Sequence, residues 1–287
     1  MKKLKVIMID AFKPEYLKHA PYLSSLIKKF EWGELEMPIG HGGGMEIFFR
    51  GNSNVLATFY KKENSSLKWI KNFIWAEKFG KIGRLFVDCL INFFRLIKGK
   101  ELHRTGKIPL RQLWKFEMHD SKKVWKDLNV EYKYFPELDR IGHKYGTKSL
   151  EIVKEIRKID KDISKMDFDI ILSDHGMMDV QKTISVPETK DCIIDTDMAR
   201  YWGEKPKFNF ENGKWIEWED KSFGDFIFLA NPGVLIFPNY WSGSKDKAMH
   251  GYDGKHPEMK GIYILKKQGK KKDLKVEELH EVFWKKK

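Results

Sequence analysis

The chain of 287 residues is long enough to bury a core of domain size. Its two cysteines, Cys89 and Cys192, exclude a disulfide framework and show no metal-type spacing, so both are expected to stay reduced. The 54 basic against 41 acidic residues leave a net charge of +13, which suits either a solvated lysine-rich surface or anionic partners. No zinc-finger, helix-turn-helix or RNA-binding signature accompanies that charge, and no uninterrupted apolar stretch is long enough to span a bilayer.

Lys2, Lys3 and Lys5 precede only four apolar residues before Asp10. That run is too short for a signal-peptide core. It reads as a first β-strand over Lys5–Asp10 with no export, and a cytoplasmic protein is expected. Next comes Pro38-Ile39-Gly40-His41-Gly42-Gly43-Gly44, a glycine run that permits close approach of the backbone to an anion. The stretch 61–107 differs from its surroundings. It is apolar and aromatic, broken by Lys and Arg, and its two halves, 67–75 and 85–97, read as helical. We expect a helical insertion or cap within one domain covering 1–287, with an amphipathic surface able to make peripheral membrane contact or admit a lipid-bearing substrate.

Asp139-Arg140-Ile141-Gly142-His143 follows, and then a helix between Thr147 and Met166. Leu150, Val153, Ile156, Ile159 and Ile163 recur there at helical spacing, and Thr147 is placed to cap it. Phe168–Ser173 and Gly261–Leu265 are short, apolar, β-branched or aromatic segments and read as core strands. Asp195–Asp220, with Trp202, Trp215 and Trp218, reads as a substrate-side loop region. Asn231-Pro232-Gly233 separates two further strands, 225–229 and 234–237. Strand–helix–strand order with acidic residues at strand ends predicts an α/β fold with a central, mainly parallel sheet flanked by helices. Ligands in such folds sit outside the carboxyl ends of the strands, where Asp10 and Asp174 fall.

Six residues in that frame suit a pair of divalent ions: Asp10, Asp139, His143, Asp174, His175 and His250. Three carboxylates and three imidazoles match borderline-hard cations such as Zn²⁺ or Mn²⁺, and two such ions can clamp the attacking and leaving oxygens of a phosphoryl transfer. Asp139 and His143, four apart, fall on one face of a helical turn. Asp174 and His175 emerge together from the end of an apolar strand, and Gly176 is expected to permit the turn that aims them at one point. Burying an unpaired Asp there would be costly, and a cation offsets that cost. His250 in His250-Gly251-Tyr252-Asp253 competes with His256 for the last position. His19, His103 and His119 have no partner pattern.

In this order, an early strand ending in Asp, Asp-x-x-Gly-His, Ser173-Asp174-His175-Gly176-Met177 and a late His-Gly-Tyr-Asp resemble the alkaline phosphatase superfamily, specifically its type I phosphodiesterase/nucleotide pyrophosphatase branch. The resemblance runs from Lys5 to Leu265, with 61–107 outside it. It implies that Asp10, Asp174 and His175 hold one ion and that Asp139, His143 and His250 hold the other. It also implies hydrolysis of a phosphodiester or pyrophosphate bond in a nucleotide or lipid-linked substrate. The family places a Thr or Ser nucleophile before a helix that ends near Phe48-Phe49-Arg50-Gly51. Aligned on that end, the nucleophile position falls on His41, and no Ser, Thr or Cys occurs between Met37 and Gly51. Three readings stay open. His41 is the nucleophile; or a water activated at the metals attacks, with His41 as base or extra ligand; or the chain keeps the metals without the reaction and acts as a binding protein. A sulfatase or a mutase would require a Cys or Ser at this position and is disfavoured.

Overall fold

The computed structural model describes residues 3–40, 43–51, 60–63, 65–99, 102, 105–118, 128–208 and 211–284. Six strands form the central sheet: β1 (Leu4–Ile9), β2 (Glu31–Glu36), β3 (Val130–Phe135), β4 (Ile170–Leu172), β9 (Gly261–Leu265) and β10 (Leu274–Lys275). Their spatial order is β10-β2-β9-β4-β1-β3. Strand β1 pairs in parallel with β3 and with β4, whereas β9 runs antiparallel to both β4 and β2. The mainly parallel sheet expected from the sequence is therefore present, with β9 reversed inside it.

Side-chain alternation divides this sheet between two helical layers. Ile7 and Ile9 of β1, Ile171 of β4 and Ile262 and Ile264 of β9 share one cluster with Ile152, Ile156, Ile159 and Ile163. The alternate residues Val6, Met8, Ile170, Leu172, Tyr263 and Leu265 join Ile47, Phe48, Leu279 and Phe283 on the other face. The helices concerned are α5 (Leu150–Ile163) on the first face, and α2 (Gly43–Arg50) and α6 (Val276–Trp284) on the second. A strand covered on both sides loses the polar alternation of a half-exposed strand, which is why β1, β4 and β9 read as continuous apolar runs. Strands β2 and β3, rich in Glu, Lys and Tyr, were not recognisable in this way.

Two expectations are corrected. The cap of α5 is Ser149, whose hydroxyl accepts from Ile152 N at 3.3 Å. Thr147 is instead buried, with its N–H donating to Asp179 Oδ1 at 2.6 Å. The stretch 195–220 is not a loop region, because it supplies two strands of a second sheet. In that antiparallel sheet β5 (Cys192–Ile194), β6 (Met198–Tyr201), β7 (Gly213–Ile216) and β8 (Phe226–Ala230) are ordered β7-β8-β6-β5. Arg200, fully buried, holds the β5–β6 turn through Asp195 Oδ2 at 3.1 Å and through the Tyr60 carbonyl at 2.7 Å. The segments either side of Asn231-Pro232-Gly233 are both strands but do not pair with each other. Val234–Ile236 instead lies parallel to Lys182–Ile184.

The helical reading of 61–107 agrees with a 3₁₀ segment over Lys68–Phe79 and with helix α3 (Gly80–Ile97). Ile70, Ala76, Val87 and Ile91 from it join Ile193, Tyr201 and Phe228 of the second sheet in one apolar cluster, which also contains Met249 and Tyr252 beside His250.

Removing the Ser149 hydroxyl leaves one first-turn N–H of α5 without its acceptor. Ser149→Ala should lower unfolding free energy by about 1 kcal/mol, read as a shift of the urea midpoint at unchanged slope.

Candidate metal centre

Three adjacent parallel strands deliver the acidic motifs to one edge. Asp10 follows β1 directly, and Ser173-Asp174-His175 follows β4. Beyond β3, Pro136 leads into α4 (Glu137–Tyr145), which carries Asp139 and His143 one turn apart. The reversed strand β9 starts at the same edge, so the segment before it, with His250, arrives there too. Two sets of links position that segment. A short antiparallel ladder pairs Met249 with Met178 and Ala248 with Asp179. Lys247 N donates to the His143 carbonyl at 2.7 Å, and His143 Nδ1 lies 2.9 Å from the Ala248 carbonyl.

Glycines set the close approaches, though not as the sequence suggested. A Cβ on Gly176 would lie 2.2 Å from the Glu258 carbonyl oxygen, so its role is to admit that passing strand of backbone; its φ is not in the left-handed region. A Cβ on Gly142 would meet Met177 Sδ at 2.3 Å. The glycine of one motif therefore packs against the methionine of another, drawing α4 onto the 174–177 turn.

All six residues converge. His175 Nε2 stands 3.2 Å from Asp10 Oδ1 and 3.7 Å from Asp174 Oδ2. His143 Nε2 and His250 Nε2 lie 3.2 and 3.4 Å from Asp139 Oδ1. The His175 and His250 rings stack at 3.7 Å, so the two triads form one continuous patch. Ligand atoms of Asp10, Asp174 and His175 lie within 4.8 Å of one another, and so do those of Asp139, His175 and His250. His175 thus faces both groups. His256 lies apart from this patch, accepting from Glu258 N as the cap of the Pro257–Met259 turn.

The tautomers test whether the patch suits a cation. Nδ1 of His143 faces the Ala248 carbonyl and Nδ1 of His175 faces the Gly176 carbonyl, both at 2.9 Å. A carbonyl can only accept, so each Nδ1 carries the proton, and in the neutral ring Nε2 presents a lone pair. A lone pair aimed at carboxylates is repulsive unless a cation lies among them. Backbone carbonyls that hold Nδ1–H are also the usual second layer around metal-bound histidines. Asp10 Oδ1 is buried with no hydrogen bond of its own. The donor set fits divalent cations.

Without a cation, protons must balance the carboxylates. Burial pulls the His175 imidazole down, but Asp174 and Asp10 outweigh it and push it up to about 10. Burial, and then the neighbouring Asp10 charge, raise Asp174 well above the usual carboxylate range. His143 is also raised, Asp139 outweighing its burial.

Further residues that the motifs do not reveal hold the patch in shape. Tyr134 OH donates to Asp10 Oδ2, and burial together with the Asp10 charge keeps this phenol protonated. Phe12 N donates to Ser173 Oγ at 2.8 Å, and Ser173 Oγ donates to the His175 carbonyl at 2.8 Å. Ala11 takes φ +58°, a left-handed conformation costly for a residue with a Cβ, and its N–H lies 3.4 Å from Asp174 Oδ1. Tyr134 carries no signal in the sequence, because the strand that presents it to Asp10 is itself masked by Glu, Lys and Tyr. Ser173 stands inside the Ser-Asp-His-Gly-Met motif, and its bridging role depends on Phe12, which is distant in sequence.

His41, the residue expected to carry catalysis, lies outside the described residues. Its flanks are described. Gly40 N donates to the Gly251 carbonyl at 2.8 Å, next to His250. Gly40 and Gly44 line a small cleft with Asp174, His175, Gly251 and Tyr252. Helix α2 starts at this cleft.

Residues 47–212 match the family described as type I phosphodiesterase / nucleotide pyrophosphatase. Among solved structures, murine ectonucleotide pyrophosphatase / phosphodiesterase 5 superposes with a TM-score of 0.64 at 14% identity, covering 98% of this chain and 94% of that one. An inactive variant of the murine protein in complex with AMP gives 0.64 at 15% identity, covering 98% and 94%. The human protein gives 0.63 at 15% identity, covering 98% and 93%. At those identities the likeness is one of fold. No curated protein matches the chain.

His175 and His143 bind protons more tightly folded than unfolded, so each stabilises the fold at low pH and loses that contribution as pH rises through its folded value. Chelator-treated protein should therefore melt at progressively lower temperature from about pH 6.5, the unfolded histidine value, towards pH 10. Added Zn²⁺ or Mn²⁺ should flatten the profile, because it replaces the protons. Thermal melts across that range check both.

Proposed function

The chain belongs to the type I phosphodiesterase / nucleotide pyrophosphatase family, within the alkaline phosphatase superfamily, and on that premise we propose that it is a metal-dependent hydrolase of phosphodiester or pyrophosphate bonds. The observation that carries the reading is the convergence of Asp10, Asp139, His143, Asp174, His175 and His250 at one sheet edge, with Nδ1 of two histidines held by carbonyls. In this proposal Asp10 and Asp174 hold one divalent ion and Asp139, His143 and His250 the other, with His175 assigned to the first although it faces both. Zn²⁺ or Mn²⁺ bound there would supply Lewis-acid charge against the phosphoryl oxygens.

The chain's own residues do the rest. Tyr134 fixes the Asp10 carboxylate, and the Ser173 hydroxyl locks the turn that presents Asp174 and His175. His41 is the catalytic residue of the proposal. As nucleophile, its unprotonated ring nitrogen would attack phosphorus while the alcohol or phosphate oxygen departs, and water would then cleave the N–P bond. As base, it would accept the proton of an attacking water. Support comes from its neighbours in sequence, Gly40 and Gly44, which line the cleft beside Asp174 and His175. The murine relative's complex with AMP favours a nucleotide or another phosphorylated small molecule as substrate, and the apolar stretch 61–107 favours a lipid-linked one. A second reading, a metal- or phosphate-binding protein without turnover, is favoured by the absence of Ser, Thr and Cys between Met37 and Gly51.

Bis-p-nitrophenyl phosphate and p-nitrophenyl phosphate, offered to chelator-stripped protein before and after Zn²⁺ or Mn²⁺ is restored, separate the two. Metal-restored nitrophenol release is expected. Stoichiometric metal binding with no release from either ester would favour the binding protein. His41→Ala should lower turnover by about 10²-fold or more at unchanged metal content. Asp174→Asn should lose an ion and stability together, read by elemental analysis and thermal melts.

A further inference from the structure

Helix α3 is apolar on two opposite faces, and only one of them is covered. Gly83, Val87, Ile91 and Arg95, at intervals of four, form its buried stripe. Ile82, Leu85 and Phe86, and one further stretch of Phe93, Leu96 and Ile97, lie at helical spacing along the opposite side with exposed Cys89 between them, at exposures from 46% at Phe86 to 79% at Ile82. At 1.5 Å per residue this strip is about 22 Å long. Trp75 and Phe79, exposed at the end of the preceding 3₁₀ segment, extend it. A contiguous apolar face of this size marks an interaction surface.

Charge says what kind. Between Lys68 and Lys98, the exposed ionic side chains among the described residues are all lysines: Lys68, Lys71, Lys78, Lys81 and Lys98. The two acids of that stretch turn inward. Glu77 accepts from Leu110 N, and Asp88 pairs with Arg84 at 3.2 Å while Arg84 donates to the carbonyls of Thr105 and Gly106 at 3.2 Å. Aromatic and aliphatic residues on one face, lysines beside it and no exposed acid are the features of a helix lying in the plane of an anionic bilayer surface. A second copy of this chain is the poorer fit, since it would bring two lysine-bearing faces of the same sign together. No described helix is long and apolar enough to cross a membrane.

We propose that the outer face of α3, with Trp75 and Phe79, docks this protein peripherally on anionic lipid bilayers. The surface is separate from the metal centre, so its test does not depend on turnover. The 287-residue protein should co-sediment with vesicles of phosphatidylcholine mixed with phosphatidylserine, and at least tenfold less with phosphatidylcholine alone. The triple change Phe86→Ser, Phe93→Ser and Ile97→Ser should cut partitioning at least tenfold with the far-ultraviolet circular dichroism of the wild type, because all three side chains are exposed. Lys71→Glu with Lys78→Glu and Lys81→Glu should abolish the preference for phosphatidylserine through charge alone and serves as the second, independent variant. Wild-type protein remaining in the supernatant with both vesicle types would overturn the proposal. So would light scattering that shows a dimer which the serine triple converts to monomer without any vesicle binding, since the face would then join two copies.

Discussion

Three carboxylates and three imidazoles share one small, largely buried space, and much of the structure answers to that crowding. Like charges a few ångströms apart in a low-dielectric setting repel by several kcal/mol, so Asp10, Asp139 and Asp174 tolerate one another only with positive charge among them. His175 sits where that charge is needed, within 3.2 Å of Asp10 and stacked on His250. Protons meet the demand in the bare protein, and divalent ions meet it in the proposed enzyme. Because Nδ1 of His143 and of His175 is held by a carbonyl, the same nitrogen, Nε2, is offered to proton or metal in both.

The supporting structure can be traced outward from there. Ala11 accepts a left-handed backbone and so turns the chain immediately after Asp10 towards Ser173 and Asp174. Gly142 and Gly176 give up side chains where a helix and a strand of backbone must pass within van der Waals distance of the motif turns. Tyr134 reaches across from the neighbouring strand. Behind them, the two-sided sheet spends its interior residues alternately on opposite helical layers. The edge therefore cannot shift without disturbing both cores.

Helices α5 and α3 make an instructive contrast. Both are amphipathic in sequence, but α5 turns its isoleucines into the core and its charges to solvent, apart from buried Asp160, which accepts from Tyr22 N and Leu23 N. In α3 the buried stripe is the narrower one, and the larger apolar residues face outward beside lysines. The packing of α3 on the second sheet belongs to the same cluster as Met249 and Tyr252, so a surface suited to lipid and the loop bearing His250 share one apolar foundation.

The sequence by itself determined the fold class, because β1, β4 and β9 are buried on both faces and read as unbroken apolar runs. The order of the four motifs, through its resemblance to the alkaline phosphatase superfamily, marked six polar residues as one set, and the fold brings those six to one sheet edge. Strands β2 and β3 stayed hidden, since their Glu, Lys and Tyr side chains at the flanks of the sheet dilute the apolar signal. The cap at Ser149 and the second sheet within 192–230 were likewise decided only by long-range contacts: Asp179 claims the Thr147 N–H, and buried Arg200 ties 195–200 to Tyr60. Tertiary structure alone brought His175 between both acidic groups and left His256 to cap a turn. Which of several suitable histidines meets a carboxylate depends on how strands from distant parts of the chain are stacked, and local spacing carries no record of that.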